Sequence, residues 1–164
     1  MKRAPTRIAV LVSGRGSNLQ ALIDRIHKKR RVPAIIRVVI ANQPGAQALE
    51  RAQKAGIETL CIDHLEFTSR EAHQAAIRAE LDKRRIDLIC LAGYMQLLGG
   101  SFINAFPNRI MNIHPALLPA FPGVHVQQKA LDYGVKVSGC TVHFVDAGMD
   151  TGPIIAQTAV PIRE

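Results

Sequence analysis

"RIAVLVSGRGSNLQAL", residues 7–22, decides the fold. Ile8 to Val12 form an unbroken apolar run, the pattern of a strand buried on both faces. Gly14 and Gly16 follow and allow the backbone to turn tightly. Ser17 and Asn18 then open an amphipathic stretch with Leu19, Leu22, Ile23 and Ile26 on one face, which predicts a helix over Ser17–Arg30. Strand, glycine turn and helix make the first β-α unit of a parallel sheet.

The alternation continues outward. Strands are expected at Arg7–Ser13, Ala34–Ala41, Ile57–Ile62, Asp87–Ala92 and Arg109–Ile113, and helices at Ala46–Lys54, Ser69–Arg84 and Val126–Tyr133. Thr68 or Ser69 is placed to cap the second of these helices. The end of the chain changes character. Val137–Val145 and Pro153–Val160 read as a hairpin joined by "DAGMDTG". The fold class is therefore α/β, a doubly wound, mostly parallel, Rossmann-like sheet with a C-terminal β-hairpin, in one domain over residues 1–164. In such sheets ligands sit beyond the carboxyl ends of the strands. The loops there are 13–18, 42–45, 93–98 and 113–123.

Bulk properties narrow the function. The 164 residues carry a formal net charge of +8 but only 4% aromatic residues and no Trp. Stacking platforms for nucleic acid are thus poorly supplied, and the charge suits a small anionic substrate. The basic run "HKKRR", His27–Arg31, reads as a solvated helix end, where cations complement the dipole. No apolar run reaches membrane-spanning length, and the one behind "MKRAPTR" is too short for a signal peptide, so a cytoplasmic chain is expected. Cys61, Cys90 and Cys140 are far apart, lie in apolar runs and are expected as small buried hydrophobes. A monomer and a homodimer fit the composition equally.

Three stretches carry chemistry. The glycine turn leads into Ser17 and Asn18, which start the helix and aim free backbone N–H groups at one place, an anion cradle. It lacks the Lys of a P-loop and the third Gly of a dinucleotide fingerprint, and a plain β-α turn would also use glycine. In "NRIMNIHPALLPAFPG", Asn112 and His114 alternate onto one face at a strand end, although a lone strand-end His is more often simply bonded to backbone. "VHFVDAGMDTGP" supplies Asp146 and Asp150, either of which fits a turn. A carboxylate reaching His114 would favour its cation. Amide, imidazole and carboxylate together suit oxyanion stabilisation and proton transfer. Neither a nucleophile elbow nor a recognised zinc spacing is present, so no metal is expected.

The segments "SGRGSNLQAL", "LAGYMQLL", "MNIHPALLPAFPG" and "HFVDAGMDTGPIIAQTAVP" closely resemble the phosphoribosylglycinamide formyltransferase family, within the folate-dependent formyltransferases of purine synthesis. The resemblance implies that 10-formyltetrahydrofolate donates its formyl group to the amine of glycinamide ribonucleotide. It implies Asn112, His114 and Asp150 as catalytic residues, and Gly16, Ser17 and Asn18 as the site for the nucleotide phosphate, with Gly14 and Arg15 shaping the turn. It also implies Arg70, Met95, Gln96, Leu97, Leu98 and Asn112 around the folate. Gln96 stands where relatives often carry Arg, and Ala159 where some carry Lys. The chain ends at "VPIRE", where the family continues into a C-terminal helix, and the expectation is that this domain lacks it. Formyltetrahydrofolate deformylase, another formyltransferase and an inactive folate- or nucleotide-binding paralogue are the alternative readings.

Overall fold

The computed structural model describes residues 4–28 and 32–163. Seven strands form one sheet: β1 Thr6–Val12, β2 Ala34–Ala41, β3 Glu58–Cys61, β4 Leu88–Leu91, β5 Ile110–His114, β6 Val137–Phe144 and β7 Ile154–Pro161, in the spatial order β3-β2-β1-β4-β5-β6-β7. The pairs from β3 to β5 are parallel, whereas β5–β6 and β6–β7 are antiparallel. Strand order reverses between β1 and β4, the switch point at which doubly wound sheets open a crevice.

Helices cover both faces, and the period of β1 shows how. Ile8, Val10 and Val12 belong to a core with Leu19 and Ile23 of α1, Ser17–Leu22 and its continuation, and with Ala48 and Ala52 of α2, Gln47–Lys54. Ala9 and Leu11 belong to the opposite core, with Ile77 and Leu81 of α3, Arg70–Lys83, and Phe102 and Ile103 of α4, Gly100–Ala105. A strand buried on both faces must be apolar at every position, which is why "IAVLV" reads as an unbroken run.

The structure revises several expectations. The first helix is α-helical only to Leu22 and continues as a π-helical turn over Ile23–Lys28. The end of the "HKKRR" run, residues 29–31, lies outside the described residues. Helix α4 went unforeseen because six residues are too few to display a period. His114 belongs to β5 rather than to the loop after it. Cys61 is exposed and Cys90 and Cys140 are half-buried, against the expected full burial. Cys61 ends the edge strand β3, which has a neighbour on one side only. Among the described residues no helix is long and apolar enough to cross a membrane.

Candidate active site

The glycine turn leads directly into α1. Gly16 caps the helix at φ 75°, a left-handed conformation. A Cβ there would lie 2.7 Å from Ala48 Cβ, so α1 and α2 meet over a position that only glycine fits. Gln20 is the first residue whose N–H finds the helical carbonyl, Gly16 O, at 2.9 Å. The N–H groups of Ser17 and Asn18 precede it at the open helix start. Second-layer contacts fix the turn. Gly14 O accepts from Ala48 N–H at 3.0 Å, and Arg15 O accepts from Arg51 Nε at 2.8 Å.

The turn forms one wall of a cleft of about 450 Å³. A second wall is the loop after β4, including Met95 and Gln96, and a third comes from Asn42, Gln43 and His64 at the ends of β2 and β3. The first two walls are joined by two hydrogen bonds of Ser13, whose N–H donates to Gly93 O at 3.1 Å and whose Oγ accepts from Met95 N–H at 2.8 Å. Met95 and Leu97 are largely exposed, at 71% and 59%, and offer apolar surface to a ligand. Gln74 of α3 holds this loop from behind, donating to Leu97 O at 2.8 Å and accepting from Gly99 N–H at 2.9 Å. The carbonyl of Leu97 is therefore already engaged. Arg70 is not brought to the cleft. It starts α3 on the surface beside Glu71, 3.3 Å away.

Asn112, His114 and Asp150 do converge. In the β4–β5 register Leu91 lies opposite Asn112, which sets Asn112 beside the strand end that enters the cleft at Ala92. The Asp150 carboxylate sits between two buried imidazoles, with Oδ2 at 3.4 Å from His114 Nδ1 and Oδ1 at 3.7 Å from His143 Nε2. Its Oδ2 also accepts from Gly123 N–H at 2.8 Å. His114 Nε2 lies 2.8 Å from Phe121 O. Both ring nitrogens of His114 thus face acceptors, an arrangement that the doubly protonated ring satisfies at both ends.

His143 completes the cluster, a residue that is not among the site residues read from the sequence. It is 2% exposed and lies opposite Asn112 in the β5–β6 register. Its Nδ1 is 2.9 Å from Phe144 O and its Nε2 is 3.3 Å from Asn112 Nδ2. With Nδ1–H donated to the carbonyl, Nε2 accepts from the Asn112 amide and fixes its rotation. Only the antiparallel register could have revealed this pairing. Asp146, the other acidic candidate, is a turn residue whose Oδ1 accepts from Gly148 N–H at 3.1 Å and Thr151 Oγ1 at 2.7 Å.

The proline-rich loop after β5 is anchored by the hairpin. The hydroxyl of Thr141 donates to Ala116 O at 2.7 Å and accepts from Leu118 N–H at 3.0 Å. Gln157 of β7 donates to Leu118 O at 2.8 Å. The hairpin therefore holds both the loop that faces His114 and, through Asp150, the carboxylate beside it. Among the described residues no group of three or more His, Cys, Asp or Glu is arranged to hold a metal ion.

Known proteins share this architecture. Glycinamide ribonucleotide transformylase 1 from Symbiobacterium toebii superposes with a TM-score of 0.96 at 52% identity, covering 99% of this chain and 76% of that one. Phosphoribosylglycinamide formyltransferase of Bacillus subtilis is 42% identical over 158 residues, 96% of this chain and 80% of that protein. The trifunctional purine biosynthetic protein adenosine-3 of Drosophila melanogaster is 54% identical over 157 residues, 95% of this chain, which spans only 12% of the fly protein's length. A family model described as formyl transferase matches residues 6–164. With nearly its whole length inside that match, the chain belongs to the formyl transferase family.

Proposed function

We propose that this chain transfers the formyl group of 10-formyltetrahydrofolate to the amine of glycinamide ribonucleotide. The observation that carries the reading is the Asp150 carboxylate set between His114 and His143, with Asn112 hydrogen-bonded to the latter. Names of the relatives above supply the transferred formyl group and its nucleotide acceptor, the resemblance of the sequence supplies the folate donor, and the chemistry agrees with both. The amine nitrogen attacks the formyl carbon and forms a tetrahedral oxyanion. Asn112 Nδ2–H and the His114 imidazolium offset its charge. Such a preorganised donor is worth about 3–4 kcal/mol in the transition state. At 3.4 Å from Asp150, Nδ1–H of His114 is not locked in a short hydrogen bond and can be shared with the oxyanion.

Collapse of the intermediate breaks the bond from carbon to the folate N10. The proton lost by the attacking nitrogen is the one N10 gains, and Asp150 carries it between them. General acid–base assistance of this kind is worth roughly 10²–10⁴-fold. The glycine turn holds the nucleotide phosphate through the N–H groups of Gly16, Ser17 and Asn18, and residues 95–98 line the folate ring. Neither step requires a metal.

The test is formyl transfer assayed with and without glycinamide ribonucleotide. Tetrahydrofolate is expected only when the nucleotide is present. Its release at the same rate without nucleotide would replace transfer by hydrolysis of the formyl group, the deformylase reaction.

A further inference from the structure

The wall of the cleft formed by the end of β2 and the segment after β3 has no role in the chemistry above, yet it contains two unusual polar groups. Asn42 follows β2 directly and is 2% exposed. Its Oδ1 is shut off from solvent and has no hydrogen-bond partner among the described residues. Buried polar atoms are almost always paired, so an orphan calls for an explanation. The backbone around it is fully engaged. Asn42 N–H donates to Val12 O, and Asn42 O accepts from His64 N–H at 3.0 Å.

His64 is bound to the same carbonyl a second time. Its Nδ1 lies 2.7 Å from Asn42 O, with Asp63 Oδ1 behind it at 3.5 Å. This two-point attachment fixes the ring plane and uses Nδ1–H as the donor. Nε2 is the nitrogen left over. The ring is half-buried and lines the cleft. Apart from the apolar Ala92 and Met95, the described residues around this cleft are otherwise glycines, amides, hydroxyls and the cation Arg15, with no carboxylate among them.

We propose that His64 and Asn42 form the far side of the nucleotide-phosphate site, and that His64 donates Nε2–H to the phosphate as an imidazolium. This deepens the proposed function and rests on it for the identity of the nucleotide. A phosphate held by the N–H groups of the turn keeps further acceptor oxygens free, and Asn42 and His64 line the same cleft. An imidazolium there makes a charge-assisted hydrogen bond, and Asp63 balances the cation from behind. The Asn42 amide, which no hydrogen bond of its Oδ1 fixes in rotation among the described residues, can turn to present Nδ2–H to the phosphate.

His64 also holds its own loop to β2, so the test must separate tether from ligand contact. In His64→Asn the side-chain amide reaches the Nδ1 position and keeps the bond to Asn42 O, but nothing replaces Nε2. In His64→Gln the amide reaches the Nε2 position instead. Binding of ribose 5-phosphate by calorimetry, on the intact chain, needs no turnover. His64→Asn is expected to weaken it by on the order of tenfold, the usual worth of one hydrogen bond to a charged group, and His64→Gln by less. Unchanged affinity in His64→Asn, or equal loss in both variants, would overturn the inference. So would the absence of binding by the unsubstituted chain. Formyl transfer measured on the same samples shows separately whether the proposed function stands.

Discussion

Asp150 is held in the left-handed region, at φ 57°, where Asn is among the few residues tolerated. Its contact to Gly123 N–H needs only an acceptor oxygen. Asp150→Asn therefore keeps the backbone and that hydrogen bond while removing the charge and the proton-accepting group. The expected result is a fall in kcat of roughly 10²–10⁴-fold, with folate affinity largely kept, read from steady-state rates beside folate titration. A variant that turns over at the full rate would remove Asp150 from the proton path. At this scale the sequence was partly transparent. Asn112 and His114 could be paired because alternation along one strand is local. His143 could not, because its meeting with Asn112 depends on an antiparallel register that no spacing encodes. Asn42 and His64 escaped notice for the same reason, being joined across the ends of two different strands.

Between elements, the clearest tie is the fork from β1 to the start of β4. Arg7 donates to Asp87 from its backbone N–H, Nε and Nη2 at 2.8, 2.9 and 2.8 Å, and Asp87 N–H returns a bond to Arg7 O at 2.9 Å. The Arg7 side chain, its N–H and its charge hold the Asp87 carboxyl at about 2, below the usual carboxylate range. A carboxyl with a lowered value in the folded state stabilises the fold above its unfolded value and loses that contribution as pH falls. The window is thus from about 4 down to about 2. Both side chains are more than a third exposed, at 38% and 42%, so solvent screening keeps the effect small. Asp87→Asn is expected to lower Tm by roughly 2 °C at neutral pH. The difference from the unsubstituted chain should close below pH 4 in thermal melts. A gap that persists at pH 2 would assign the loss to hydrogen bonding rather than charge. Elements such as β1, β2 and β4 were legible because burial on both faces leaves no choice but continuous apolar residues. The π-helical turn at Ile23–Lys28 and the six-residue α4 were not. The first shares the apolar face of an ordinary helix, and the second is too short to show a period.

For the whole molecule, the feature that composition announces is the formal charge of +8, and the fold gives it a direction. The cleft between β1, β2 and β4 carries Arg15 and His64 on its walls and no carboxylate among the described residues lining it. A cleft of one sign inside a positive molecule concentrates anions at its mouth and speeds their capture. A phosphate-bearing nucleotide should feel this field, and salt should remove it. Between about 10 mM and about 100 mM salt the screening length shrinks from roughly 30 Å to roughly 10 Å, that is, from beyond the size of the cleft to within it. The expectation is a decline of several-fold in kcat/KM for glycinamide ribonucleotide over that range, with kcat little changed, because the proposed chemical step is assigned to a buried cluster that salt screens weakly. The matching nucleoside, which lacks the phosphate, serves as the control and should show a nearly flat profile. If nucleotide and nucleoside respond alike, the charge acts on the protein as a whole rather than on the phosphate in the cleft. If neither responds, the basic residues lie too far from the entrance to steer, and their role is confined to the solvated surface.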